Sequence, residues 1–174
     1  MANKDAAFGL KPIGKVGQNR DNQGLSEYDI AASATAIYFN DPVKMKSDGT
    51  IEVAGAGGAI LGSINGVFFT DATTSKPTFA NHLNASNTAT DIVGFISDDP
   101  YERFEIQTNN TGASAKTDIF NVADIEYTAG SSPDFVSAVE LNDSTLANGS
   151  SATLQILGLS RINEHELDMN VNGV

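Results

Sequence analysis

Side chains able to move protons, hold metals or attack substrates are sparse in this chain. It has two histidines, His82 and His165, and no cysteine. His82 lies in a polar stretch, TDATTSKPTFANHLNASNTATD (70–91), and His165 in an acidic one, INEHELD. A catalytic histidine needs a nucleophile or carboxylate held beside it, and no motif around either residue supplies one. Both read as exposed side chains. Asp98, Asp99 and Glu102 cluster at a turn and offer oxygen ligands for a hard cation, but without the spacing of a calcium loop. Among 22 acidic residues nothing singles out a carboxylate pair for glycoside hydrolysis. The glycine-rich GAGG (55–58) is followed by the strand pattern AILGSINGVFF, whereas a phosphate cradle needs a helix start at that point. Asn109-Asn110-Thr111 and Asn148-Gly149-Ser150 match the glycosylation sequon, as expected by chance in a chain rich in Asn, Ser and Thr. These residues imply no enzyme, no cofactor and no metal.

The elements that would position a site are read from periodicity. Long 3.6-residue apolar stripes are missing. Short β-branched and aromatic runs alternate with clusters of Gly, Ser, Thr, Asn and Asp, which is the pattern of an all-β domain. Strands are expected near 27–31, 36–45, 51–54, 59–69, 92–97, 101–108, 118–127 and 152–162. In VKMKSDGTIEV (43–53), a two-residue loop would set Met45 against Glu52. A three-residue loop of Ser47, Asp48 and Gly49 instead pairs Met45 with Ile51, Lys44 with Glu52 and Val43 with Val53, with Gly49 in the left-handed position. The three-residue loop is the expectation.

A second hairpin is expected in DIVGFISDDPYERFEIQ (91–107), turning at Asp98, Asp99 and Pro100. Its first strand is apolar on both faces and should be central or covered, while its second alternates and should have one wet face. ATLQILGLSRI (152–162) switches phase partway, which suggests a bulge or a strand passing between two packed surfaces. SPDFVSAVEL (132–141) reads as a short helix, with Ser132 as N-cap and Pro133 in the first turn. The stretches 70–91 and 108–117 show no periodicity and read as long loops. The expected core is Ile30, Ile37, Phe39, Val43, Met45, Ile51, Ile60, Ile64, Phe68, Ile92, Phe95, Phe104, Ile106, Leu154 and Ile156.

Charge divides the chain unevenly. Residues 1–20 carry Lys4, Lys11, Lys15 and Arg20 against Asp5, a balance of +3, which leaves −15 of the total −12 for the remainder. A body this acidic repels phosphate backbones, which argues against nucleic-acid binding. No apolar run approaches the ~18 residues of a membrane helix, and the N-terminus lacks the apolar core of a secretory signal. A water-soluble protein made in a cytoplasm, with no membrane partner, is the expectation. The basic leader, with Phe8, Leu10, Pro12 and Ile13 spaced by glycines, reads as an extended arm waiting for another surface, with a strand folded back on its own domain or a disordered tail as the alternatives.

The opening MANKDAAFGLKPIGKVG resembles the start shared by a group of tailed-bacteriophage virion structural proteins: Met-Ala-Asn, a small-residue step, then Phe-Gly-Leu/Phe-basic-Pro-hydrophobic-Gly. YDIAASATAIYFNDPVKM, ILGSINGVFF, DDPYERFEIQ, AVELNDSTL and LQILGLSRI are also similar to that group, so the resemblance spans most of the chain. It implies a capsid decoration (cement) protein: a non-catalytic, cofactor-free structural protein, made in the host cytoplasm, that binds the outer surface of the phage head and stabilises it. The implied partners are the major capsid protein and further copies of the chain, with a trimer favoured. Tail-tube or head-completion subunits are the alternative within the same group. A carbohydrate- or cell-surface-binding β-module is a different class, weakened by the lack of tryptophan.

Together these readings predict one antiparallel β-barrel or β-sandwich domain over 25–165, with long loops. An extended arm covers 1–24 and a C-terminal tail covers 166–174. Phe8, Leu10, Lys11, Pro12, Ile13, Lys15 and Arg20 are the expected residues for binding capsid or subunit.

Overall fold

The computed structural model describes residues 6–17, 24–109, 114–148 and 152–160. Among the described residues, eleven strands and one 3-10 turn, Lys116–Asp118, make up the regular structure, so the chain is all-β as its composition predicts. The strands are β1 Lys11–Lys15, β2 Ser26–Asp29, β3 Pro42–Met45, β4 Ile51–Val53, β5 Gly62–Thr70, β6 Pro77–Ala80, β7 Val93–Ser97, β8 Glu102–Glu105, β9 Val122–Glu126, β10 Glu140–Ala147 and β11 Leu154–Gln155.

They form three antiparallel sheets. The largest has the order β2-β7-β5-β3-β4, with β6 added on β5. A second is β10-β9-β11, and β1 pairs with β8 as a two-stranded ribbon. An isolated bridge between Ile30 and Ile51 draws the two ends of the large sheet together. One bridge is not a ladder, so the sheet curls without closing into a barrel. Its concave side holds Ile30, Ile37, Val43, Ile51, Ile64, Val67, Leu83, Ala89, Ile92 and Ile96. Val122, Ala123, Ile125, Val139 and Leu141 are the buried apolar side chains of the β9–β10 region.

The Val43 hairpin folds as its sequence predicts, with Val43 opposite Val53, Lys44 opposite Glu52 and Met45 opposite Ile51. Gly49 has φ +85°, a conformation that a side chain would disfavour. Asp48 Oδ1 closes the turn by accepting the Thr50 N–H at 3.0 Å. Met45 nonetheless is 70% exposed and does not belong to the core, although Ile51 opposite it is buried there.

The expected hairpin at Asp98, Asp99 and Pro100 is not one. β7 is central, as its apolar sequence predicts, flanked by β2 and β5. β8, however, leaves that sheet and pairs with β1. The turn is a corner between sheets.

The helix expected over 132–141 is replaced by a turn and the start of β10. Ser137, Val139 and Leu141 are buried in alternation, a period of two that a strand satisfies and a helix does not. The supposed loop 70–91 contains β6, whose Phe79 faces Phe68 across the ladder. Asp71 shapes the connecting turn by accepting the N–H groups of Thr73 and Thr74 at 3.0 and 2.7 Å. Of the expected core, Phe39, Ile60, Phe68, Phe95, Phe104, Ile106, Leu154 and Ile156 are only half-buried. The sequence reading also missed Leu10, Leu83, Ile125 and Val139, which are completely enclosed.

Candidate interaction surface

The leader is not a free arm over residues 6–17. Its first part is built into the body. Leu10 is 0% exposed, its N–H donates to Asn40 O at 2.9 Å, and its carbonyl accepts from Ser63 Oγ at 2.6 Å. Asn40 Nδ2 donates to Phe8 O at 3.1 Å, and Ala6 N–H donates to Gln107 Oε1 at 3.1 Å. Gly9 has φ +72°, and a Cβ there would overlap Asn40 O and the Ser137 side chain. The boundary expected at residue 24 is thereby corrected, because the anchor and β1 belong to the folded unit. Over residues 6–17 the alternative of a strand folded back on its own domain is what the structure has, with Glu105 and Asp99 as partners for the leader's lysines.

Beyond the anchor, β1 lies on β8, with Lys11 opposite Glu105 and Lys15 opposite Glu102. Two ion pairs fasten the ribbon: Lys11 Nζ to Glu105 Oε2 at 3.0 Å and Lys15 Nζ to Asp99 Oδ2 at 2.7 Å. The second is the better sheltered, with side-chain exposures of 15% and 21%. Two leader cations are therefore matched to acids of their own chain. Pro12 is half-buried, whereas Ile13 and Val16 are 53% and 50% exposed. Arg20, His165 and the tail 166–174 lie outside the described residues.

Ile13 and Val16 border a broad groove of about 1120 Å3 between the β1–β8 ribbon and the stretch 153–160. Tyr101 and Leu157, both largely exposed, lie on the same rim. Asp99, Glu102, Glu105, Asp118, Asp143 and Arg103 are its charged lining, with Asp99 and Glu105 already paired with Lys15 and Lys11. The Arg103 Nε is buried without a hydrogen-bond acceptor. An apolar floor with an acidic border suits an apolar partner surface edged by lysine or arginine.

The acidic turn considered for a cation is used as a fastener. Asp98 accepts hydrogen bonds from Ser26 Oγ at 2.8 Å and Tyr28 Oη at 2.6 Å, while Asp99 takes Lys15 and the Tyr101 N–H. The Asp98 hydrogen bond, helped by burial, pushes the Tyr28 hydroxyl above its ordinary range. His82 stacks on Phe135 with ring centres 3.9 Å apart, and its Nδ1 lies 2.8 Å from Asn81 Oδ1. Among the described residues, no group of three or more His, Asp or Glu is placed to hold a metal ion.

A second exposed apolar feature escaped the sequence reading. Phe79 is 74% exposed on the outer face of the large sheet, with its ring centre 4.8 Å from Phe68 and 6.3 Å from Phe95. The alternation of TFA within 77–80 was the available signal, hidden by the polar residues on both sides. Beneath the leader, Asp41 is fully buried. Its Oδ2 accepts the Tyr38 N–H at 2.8 Å and Oδ1 has no hydrogen bond. Burial pushes this carboxyl up to about 6. The Ser137 hydroxyl is near enough to oppose the shift without closing a well-formed bond to Oδ1, and the Tyr38 N–H opposes it too. The Tyr127 hydroxyl is pushed up to about 12, first by burial and then by the charge of Asp41.

No family model, no curated protein and no solved structure matches this chain.

Proposed function

We propose that this protein is a non-catalytic structural protein of a tailed-phage virion, seated on the outer surface of the capsid. The observation that carries the reading is the β1–β8 ribbon, which fixes Ile13, Val16 and Tyr101 at the rim of an apolar, acid-bordered groove. The resemblance of the opening MANKDAAFGLKPIGKVG to virion proteins supplies the biological setting. A coat of this kind needs repeated modest contacts and no chemistry. Burying these side chains contributes about 25 cal/mol per Å2 of apolar area, and several such contacts in one oligomer add through effective concentration. The partner is the major capsid protein, at a patch of apolar residues edged by cations. Self-association, with a trimer favoured, supplies the multivalency.

Co-sedimentation with purified heads of the parent phage tests this reading. The wild-type chain is expected to saturate the heads, and Ile13→Asp with Val16→Asp is expected to lose occupancy while remaining folded. Equal occupancy by wild type and the double variant would remove the ribbon from the contact. Density confined to the portal vertex or tail in electron micrographs would replace decoration with the head-completion or tail-tube alternative.

A further inference from the structure

We propose that the site holding residues 6–10 is a peptide receptor that takes this same segment from a second copy of the chain, so that leaders are exchanged between subunits. This is independent of any capsid and holds whatever surface the oligomer coats.

Five polar residues are buried among those described: Asn40, Asp41, Ser63, Gln107 and Ser137. Three of them, Asn40, Ser63 and Gln107, hydrogen-bond the anchor, while Ser137 and Asp41 lie around it. Asn40 contacts it twice, through Nδ2 to Phe8 O and through its own carbonyl to the Leu10 N–H. Ser63 Oγ and Gln107 Oε1 take the Leu10 carbonyl and the Ala6 N–H. Ser137 walls the space over Gly9. Asp41 shapes the turn that presents Asn40, with its carboxylate on the Tyr38 N–H and its own N–H on Tyr38 O at 2.9 Å. Buried polar groups are costly without partners, and three of the five buried ones find theirs on the backbone of one short segment, which makes the site a receptor for it.

The receptor reads its ligand in two ways. Each hydrogen bond reaches a backbone atom of the segment, so these bonds read its path and not its side chains. Selectivity comes from Gly9, where no side chain fits, and from Leu10, which is fully enclosed. The ligand class is therefore a short peptide in which a glycine at positive φ precedes leucine, as in the leader's own AFGL. Nothing in these contacts distinguishes a segment supplied by the same chain from one supplied by a neighbour. Only the connection does. Six residues, QNRDNQ (18–23), separate Gly17 from Gly24, and such a length spans roughly 20–25 Å when extended. Toward a copy within that reach, exchange conserves every contact while adding a link between copies. Passed head to tail, it closes a ring where the rotation between copies permits and otherwise runs on as an open chain.

The absence of native cysteine allows a clean test on the full-length chain. Lys11 and Glu105 are opposite each other on β1 and β8. Lys11→Cys and Glu105→Cys proteins, each made separately, are mixed at high concentration, incubated and oxidised. The expected result is a disulfide-linked dimer at least tenfold more abundant in the mixture than in either protein alone. Absence of that dimer, with Lys11→Cys/Glu105→Cys double variants closing within single chains at every concentration, would overturn the exchange. If the cysteine variants fail to fold, a labelled peptide of residues 6–17 added to the unmodified full-length chain decides. Uptake that Gly9→Ala in the peptide reduces at least tenfold supports the proposal, and no uptake, or uptake indifferent to that change, overturns it.

Discussion

Residues 6–10 and 11–17 are consecutive parts of one leader, similar in their spacing of glycines, apolar side chains and small residues, yet they meet the body in different ways. The first inserts Leu10 into a closed space and is held by buried polar side chains. The second lies on a single strand, fastened by two ion pairs, and turns Ile13 and Val16 outward. The difference teaches where each part contributes. Enclosed apolar surface and satisfied buried polar groups stabilise the fold, whereas an exposed ribbon contributes little to stability and is free to contact something else.

The comparison is tested most severely at Leu10. Leu10→Ala is expected to cost about 2–5 kcal/mol in urea unfolding, the range for truncating a fully buried leucine. A cost below about 0.5 kcal/mol would mean that the anchor is not part of the core.

Next in size is the pH dependence set by Asp41 beneath that anchor. Its carboxyl is raised from 3.8 to about 6 in the folded state, chiefly by burial. The folded chain therefore binds more protons than the unfolded chain between those values. The penalty for ionising Asp41 is absent below pH 3.8, develops as pH rises, and is complete above about 6. It amounts to about 3 kcal/mol. Asp41→Asn should remove this slope, so the stability difference between variant and wild type changes across that window and is constant above it. Parallel profiles for the two proteins would contradict the assignment.

The ribbon's effects should be smaller. Lys15→Ala breaks the sheltered pair with Asp99 and is expected to cost about 1 kcal/mol, measured by thermal or urea unfolding. Smallest of all, Ile13→Ser should fall within about 0.5 kcal/mol of wild type. An Ile13→Ser cost approaching that of Leu10→Ala would erase the distinction between the two parts of the leader.

Two acidic turns show how far the sequence was legible. Ser47, Asp48 and Gly49 are flanked by residues whose types match across the turn, and the hairpin register followed from that matching. Asp98, Asp99 and Pro100 form an equally clear turn signal, but the strands on either side pair elsewhere, one with β2 and β5 and the other with β1. Turn chemistry is local, whereas the choice of ladder partner is made by segments distant in sequence. The same limit hid the leader's anchor. Phe8 and Leu10 were visible as residues unsuited to open water, but Asn40, Ser63, Gln107 and Ser137, which receive or wall their segment, are ordinary polar residues in the sequence. Only burial distinguishes them from the many other Asn, Ser and Gln.

The sequence by itself determined the all-β class, the Val43 hairpin, the central position of the 93–97 strand and the unusual character of the leader. These follow from side-chain alternation, turn residues and charge, which act over a few neighbouring positions. The tertiary structure alone decided that the leader's first part is enclosed while its second is displayed, that the acidic corner joins two sheets, and that Phe79 faces outward. Those outcomes depend on which distant surfaces meet, because burial is a property of the assembled fold rather than of any residue or spacing.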